Sequence, residues 1–130
     1  MRRLALAAFV AGAALVASAP AAPQRANWLD NTVAVLQGLD KITARISTFE
    51  APLDSPVRFG ALEITARACR KRPPEETPET AAFLEIRDLR VADSPRSVFR
   101  GWMFSSSPAL SALEHPVYDV WIVDCKNASR

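Results

Sequence analysis

The chain has 130 residues, with 16 Lys and Arg against 14 Asp and Glu, two cysteines and one histidine. That length bounds the answer to one small domain, and a formal net charge of +2 supplies no global field for drawing in nucleic acid. One His and two Cys without close spacing do not make a zinc site, so neither a metal nor a cofactor is expected.

The first element is an address rather than a fold. Arg2 and Arg3 precede an apolar run from Leu4 to Ala17, and small residues and prolines follow from Ser18 to Pro23. This is the layout of a secretory signal peptide. The run falls short of the roughly 20 residues that a bilayer-spanning helix needs, so a retained anchor is the weaker alternative. Ala19-Pro20-Ala21, with cleavage before Ala22, is the favoured cut. Removing residues 1–21 leaves 109 residues and takes away both leader arginines, which brings the formal charge to zero. In an exported chain Cys69 and Cys125 read as a disulfide.

Residues 22–31 read as a flexible lead-in, with Trp28 able to pack back on the domain. From Thr32 the pattern becomes β. Ile42, Ala44, Ile46 and Thr48 alternate with Lys41, Thr43, Arg45 and Ser47, which predicts a strand over Lys41–Phe49 with one buried face. Glu50 to Pro56 is turn chemistry. Alternation resumes from Val57 to Cys69, with Leu62, Ile64, Ala66 and Ala68 on one side, and the strand Ala61–Cys69 is expected to pair antiparallel with Lys41–Phe49.

Arg70 to Thr80 contains three prolines and reads as an exposed loop. Ala82 to Val91 is a strand whose phase slips, which calls for a bulge near Arg87-Asp88. Ala92 to Arg96 is a turn, and Val98 to Phe104 is a strand broken by Gly101. Ser105 to His115 is the one helical candidate, with Ser107 as N-cap and Pro108 at the first position. Val117 to Cys125 reads as a strand buried on both faces. The sum is a mostly β, single-domain antiparallel β-barrel or sandwich with one short helix, over residues 32–126, followed by a tail at 127–130.

Ser105, Ser106, Ser107, His115, Asp119 and Asp124 include every residue type of a Ser-His-acid triad. No Gly-x-Ser-x-Gly elbow accompanies them. Ser107 as a helix cap and His115 as a loop residue bonded to backbone are the structural readings. Asp119 and Asp124 have opposite parity on one strand, which separates them as an acid–base pair. Trp102, Phe104, Tyr118 and Trp121 form a dense aromatic set. Trp121 is assigned to the core, whereas Trp102 and Tyr118 suit either the core or a half-wet site. Arg67, Arg70, Lys71 and Arg72 precede Glu75, Glu76 and Glu79, so this charge run reads as a self-neutralised, solvated loop.

Specific segments then come in order: Phe59-Gly60-Ala61-Leu62-Glu63-Ile64, Cys69, Pro73-Pro74, Phe99-Arg100-Gly101-Trp102-Met103-Phe104-Ser105-Ser106-Ser107-Pro108, and His115-Pro116-Val117-Tyr118-Asp119-Val120-Trp121 before Cys125. Together they resemble the DUF2155 family, small exported bacterial proteins catalogued as a domain of unknown function. The resemblance runs from about Val33 to Cys125. The family comes from Gram-negative bacteria, so it implies a periplasmic address, but no activity and no catalytic residues.

The polar share of that signature nominates Trp102, Phe104, Ser106, His115, Tyr118 and Asp119 as a binding surface. The expected function is a non-catalytic cell-envelope binding or accessory factor. Its partner would be an envelope protein or another envelope component, with no nucleic acid and no transmembrane segment in the mature chain. The alternative is a small periplasmic hydrolase or glycan-binding protein using His115 with Ser106 or Asp119.

Overall fold

The structure, a computed structural model, describes residues 8–19, 27–90 and 93–128, without the side chains of residues 110 and 111. The remainder of the expected leader, residues 22–26 of the lead-in, Val91 at the end of one expected strand, Ala92 at the start of the expected turn and the last two residues of the tail lie outside the described residues. Residues 8–19 form no helix or strand and are exposed.

Among the described residues eight strands follow: β1 (Leu29–Asn31), β2 (Val33–Asp40), β3 (Arg45–Pro52), β4 (Val57–Phe59), β5 (Leu62–Lys71), β6 (Thr80–Asp88), β7 (Arg96–Phe104) and β8 (Tyr118–Lys126). They build an antiparallel two-sheet arrangement that is sandwich-like and not a closed barrel. One sheet runs β1-β5-β6-β7, with β4 also paired to β5, and the other runs β3-β2-β8. The core lies between them. Leu62, Ile64, Leu84 and Ile86 come from the larger sheet and Leu36, Val120 and Ile122 from the smaller, all buried. The expected short helix is a single 3-10 turn, Pro108–Ser111, and Ser107 before it makes no side-chain cap bond.

Two bulges bring the cysteines together. In β5, Leu62, Ile64 and Ala66 point inward on even positions. The pairing with β6 then skips Arg67, because Ala66 faces Leu84 and Ala68 faces Phe83. That extra residue turns odd-numbered Cys69 into the core. In β8, Val120 and Ile122 point inward, and Val123 is the extra residue, since Ile122 faces Leu36 and Asp124 faces Val35. Cys125 therefore also turns inward. The two Cα atoms stand 5.7 Å apart and the residues are each 1% exposed, so a disulfide fastens β5 of one sheet to β8 of the other.

Several sequence expectations change. The lead-in is not free of structure to residue 31, because Leu29–Asn31 pairs with Cys69–Lys71 as β1. The strand expected over Lys41–Phe49 starts as a turn. Asp40 Oδ1 accepts the N–H groups of Ile42 (2.9 Å) and Thr43 (3.2 Å), and Ala44 closes the turn at φ 57°. An Asx turn thus interrupts an alternation that looked continuous. β3 pairs with β2, not with β5, and its apolar parity is reversed: Ile42 is 77% and Ile46 61% exposed, while Ala51 is buried.

β8 is buried on one face only, with Val123 exposed. Gly101 does not break β7. The slip expected near Arg87 does occur at that level, but its extra residue is Val98 on the partner strand, since Ile86 faces Phe99 and Arg87 faces Ser97.

Candidate functional site

The nominated residues separate into two ends of the sandwich. At one end, His115 is 6% exposed and both ring nitrogens are occupied. Pro116 turns the chain so that the backbone N–H groups of Val117 (3.0 Å) and Tyr118 (3.2 Å) donate to Nδ1. Nδ1 therefore only accepts, the ring proton stands on Nε2, and it points at Asp88 Oδ2, 2.9 Å away. The His115 carbonyl accepts from Lys41 Nζ at 2.9 Å, and the same ammonium pairs with Asp119 at 3.1 Å.

Asp88 ends β6 with its side chain turned inward, and it also accepts from Arg90 Nε at 2.8 Å and from the Arg90 backbone N–H at 3.0 Å. The Arg90 hydrogen bond first, then that of His115, hold the Asp88 carboxyl well below its ordinary 3.8 and outweigh the opposing effect of burial. This is a closed knot. No lone pair on the ring is free to take a proton from a nucleophile.

Tyr118 belongs to the same end. Its hydroxyl accepts the Ala61 N–H at 3.3 Å. Its ring meets Phe59 edge-on with centroids 5.5 Å apart, and Phe59 stacks on Phe49 at 5.3 Å. With the His115 ring 5.2 Å from Tyr118, the row Phe49–Phe59–Tyr118–His115 closes that end of the sandwich.

Ser106 lies at the other end. Its hydroxyl donates to Glu79, which also accepts from Ser105 Oγ (3.1 Å), the Ser106 N–H (3.2 Å) and the Thr80 N–H (3.0 Å). Burial pushes the Glu79 carboxyl up, but the bonds from Ser106, Thr80 and Ser105 outweigh it and leave it below its ordinary 4.5. Glu79 precedes β6 and Asp88 ends it, so roughly 25–30 Å of strand separates Ser106 from His115. Asp119 does not touch the ring either. It shares the outer face of the small sheet with Trp121 and Asp124, because the Val123 bulge cancels their expected opposition. Asp119 is held by Lys41 and Asp124 by Lys71 at 2.9 Å. Trp121 is not core: it is half-buried on that outer face and donates from Nε1 to Gln37 at 3.2 Å.

Trp102 and Phe104 flank buried Met103 on β7, so both face outward from the large sheet. Trp102, 36% exposed, meets Phe83 of β6 edge-on at 5.6 Å. The Arg70 guanidinium of β5 lies over the Trp102 ring, 5.6 Å from its centroid, and pairs with Asp30 at 2.9 Å. Arg72 lies over Trp28 at 4.8 Å and pairs with Glu76 at 3.2 Å. Trp28, Arg70, Ala81, Trp102 and Phe104 line a shallow recess of about 190 Å³. Chemically this face offers aromatic surface with fixed guanidinium planes, suited to binding and devoid of a nucleophile. Sequence reasoning missed Phe83, whose odd parity against Leu84 and Ile86 was the available signal, and it read Arg70 and Arg72 as merely solvated.

The family described as an uncharacterized protein conserved in bacteria, DUF2155, matches residues 34–125. The chain belongs to the DUF2155 family. It is also similar to the uncharacterized protein RP359 of Rickettsia prowazekii (strain Madrid E), at 31% identity over 87 residues, which cover 67% of this chain and 56% of that relative. The chain thus spans little more than half the length of that curated relative. No solved structure matches.

The segment matched to DUF2155 begins one residue into β2 and ends at Cys125, so it contains the His115 knot, the disulfide and Trp102 but neither Trp28 nor β1. Among the described residues no helix is long and apolar enough to cross a membrane, and no cluster of three or more His, Cys, Asp or Glu is placed to hold a metal ion.

Proposed function

We propose that this DUF2155 protein is exported to the periplasm and acts there as a non-catalytic cell-envelope factor, binding another envelope component through the outer face of its large sheet. One observation carries the reading: Trp102 stands exposed on the outer face of β7, the edge strand of the large sheet, backed by Phe83 and overlaid by Arg70. Buried tryptophan would need no such arrangement, whereas a half-exposed indole with a positioned guanidinium is what binding hot spots are made of. The leader pattern at residues 1–21 supports the address. The hydrolase alternative has no support from the site, since Ser106 and Asp119 both bond elsewhere and the His115 nitrogens are occupied.

The test is in-cell photocrosslinking, with a photoreactive residue replacing Trp102 and, as a comparison, Tyr118. A discrete adduct from position 102 and none from position 118 is the expected pattern. Clean monomer from both, in cells where the protein is exported and folded, would overturn the assignment of this face.

A further inference from the structure

Among the described residues of the β domain, the most exposed large apolar side chain is not on the Trp102 face. It is Ile42, 77% exposed at the tip of the β2–β3 hairpin, and Ile46, 61% exposed, follows at the start of β3. Ile46 faces outward opposite half-buried Leu39. The turn is rigid: Asp40 accepts two of its N–H groups, Lys41 N–H donates to the Val117 carbonyl at 2.8 Å, and Lys41 Nζ is fixed on His115 and Asp119. The His115 and Val117 carbonyls and Asp119 thus hold the base of the turn through Lys41 while its isoleucines stand in water.

Within Lys41-Ile42-Thr43-Ala44-Arg45-Ile46 there is no acid, and of its two cations Lys41 is already paired with Asp119. Asp40 turns inward on backbone N–H groups, and Arg45 makes no ion pair among the described residues. We infer that the β2–β3 turn docks on an anionic lipid surface, with Ile42 and Ile46 entering the headgroup boundary and Arg45 meeting phosphates. A convex tip fits a bilayer better than it fits a second copy, and β3 is a poor template for a partner strand, since Arg45, Glu50 and Pro52 stand along it. The surface is distinct from the Trp102 face. Asp40 pairs with Tyr118 at the His115 end, whereas Met103 pairs with Ala82 beside the disulfide at the other end, so both surfaces can be occupied at once.

The full chain with Ile42→Trp reads the tip itself, whatever else touches the bilayer. It is mixed with vesicles of phosphatidylcholine and phosphatidylglycerol whose acyl chains carry bromine. Added fluorescence from position 42 should be quenched on anionic vesicles and not on phosphatidylcholine alone. In the otherwise unaltered chain, Ile42→Asn with Ile46→Thr should lower the tip-dependent partition about tenfold per isoleucine, and Arg45→Gln about fivefold. Both sites are exposed, so far-ultraviolet dichroism should stay at the parent value. An unquenched tryptophan at position 42, or quenching indifferent to lipid charge, overturns the inference. So does a concentration-dependent dimer that the double substitution dissolves, which would assign the tip to a second copy.

Discussion

Asp88→Asn is the most telling single substitution in this domain, because one oxygen carries the knot. Asp88 Oδ2 accepts from His115 Nε2 at 2.9 Å and from Arg90 Nε at 2.8 Å. An asparagine can keep its carbonyl on the Arg90 N–H, but its amide nitrogen then confronts two donors. The His115 side chain is 2% exposed, so water does not replace the lost acceptor. A buried donor left without a partner costs roughly 1–3 kcal/mol, and the lost bond to a charged group adds a similar amount. The expected cost is about 3 kcal/mol, which for a domain of this size lowers the melting temperature by roughly 12–24 °C.

The assay is urea unfolding of the oxidised protein followed by tryptophan fluorescence, run as a function of pH. The folded carboxyl lies below its ordinary 3.8, so its stabilisation is fully present above that value and is lost as pH falls through and below it. Asp88→Asn should flatten this acid dependence as well as lower stability at neutral pH. An Asp88→Asn protein within about 0.5 kcal/mol of the parent at neutral pH, with the same acid slope, would refute the knot.

Three further outcomes follow from the packing. Replacing Cys69 and Cys125 together with alanine frees a loop of sequence separation 56 and should cost about 4 kcal/mol by chain-entropy reasoning, read as a fall in the urea midpoint. Gly38→Ala places a Cβ 2.5 Å from the Phe59 ring, which is itself stacked on Phe49, and should cost roughly 1–3 kcal/mol with loss of aromatic near-ultraviolet dichroism. Ser106→Ala removes the largest of the hydrogen bonds that lower Glu79, so the Glu79 carboxyl should titrate higher by nuclear magnetic resonance, and its stabilising contribution should disappear at a correspondingly higher pH as the solution is acidified.

Much of the fold was legible because its signals are local. The Leu62-Ile64-Ala66 alternation, the Pro73-Pro74 break and the Asp-Ser-Pro turn before β7 each act within a few residues. The errors came where one residue changed the phase. Arg67 and Val123 are bulges that only the partner strand reveals, and they decide that Cys69, Cys125 and Asp124 face as they do. Ile42 and Ile46 were assigned inward because apolar periodicity gives parity without direction. Asp40, whose carboxylate makes the turn, looked like any strand-end acid. The site was half legible. Trp102 stood out by type. His115 stood out as unique, but its role depends on Asp88, 27 residues away in sequence. Ser106 and His115 share a signature and yet sit at opposite ends, because β6 and β7 each run most of the sandwich's length between them.

His115 is a structural clasp, and the proposed binding face lies elsewhere on the fold. The chain has one histidine, so its imidazole can be read without assignment ambiguity. A long-range proton–nitrogen correlation spectrum of the folded, nitrogen-labelled protein at mildly alkaline pH tests it most directly. The expected result is a proton on Nε2, an unprotonated Nδ1 and an Nε2 proton resonance protected from solvent exchange. A ring with its proton on Nδ1 and a solvent-facing, unprotonated Nε2 would contradict it, and would restore His115 as a candidate base.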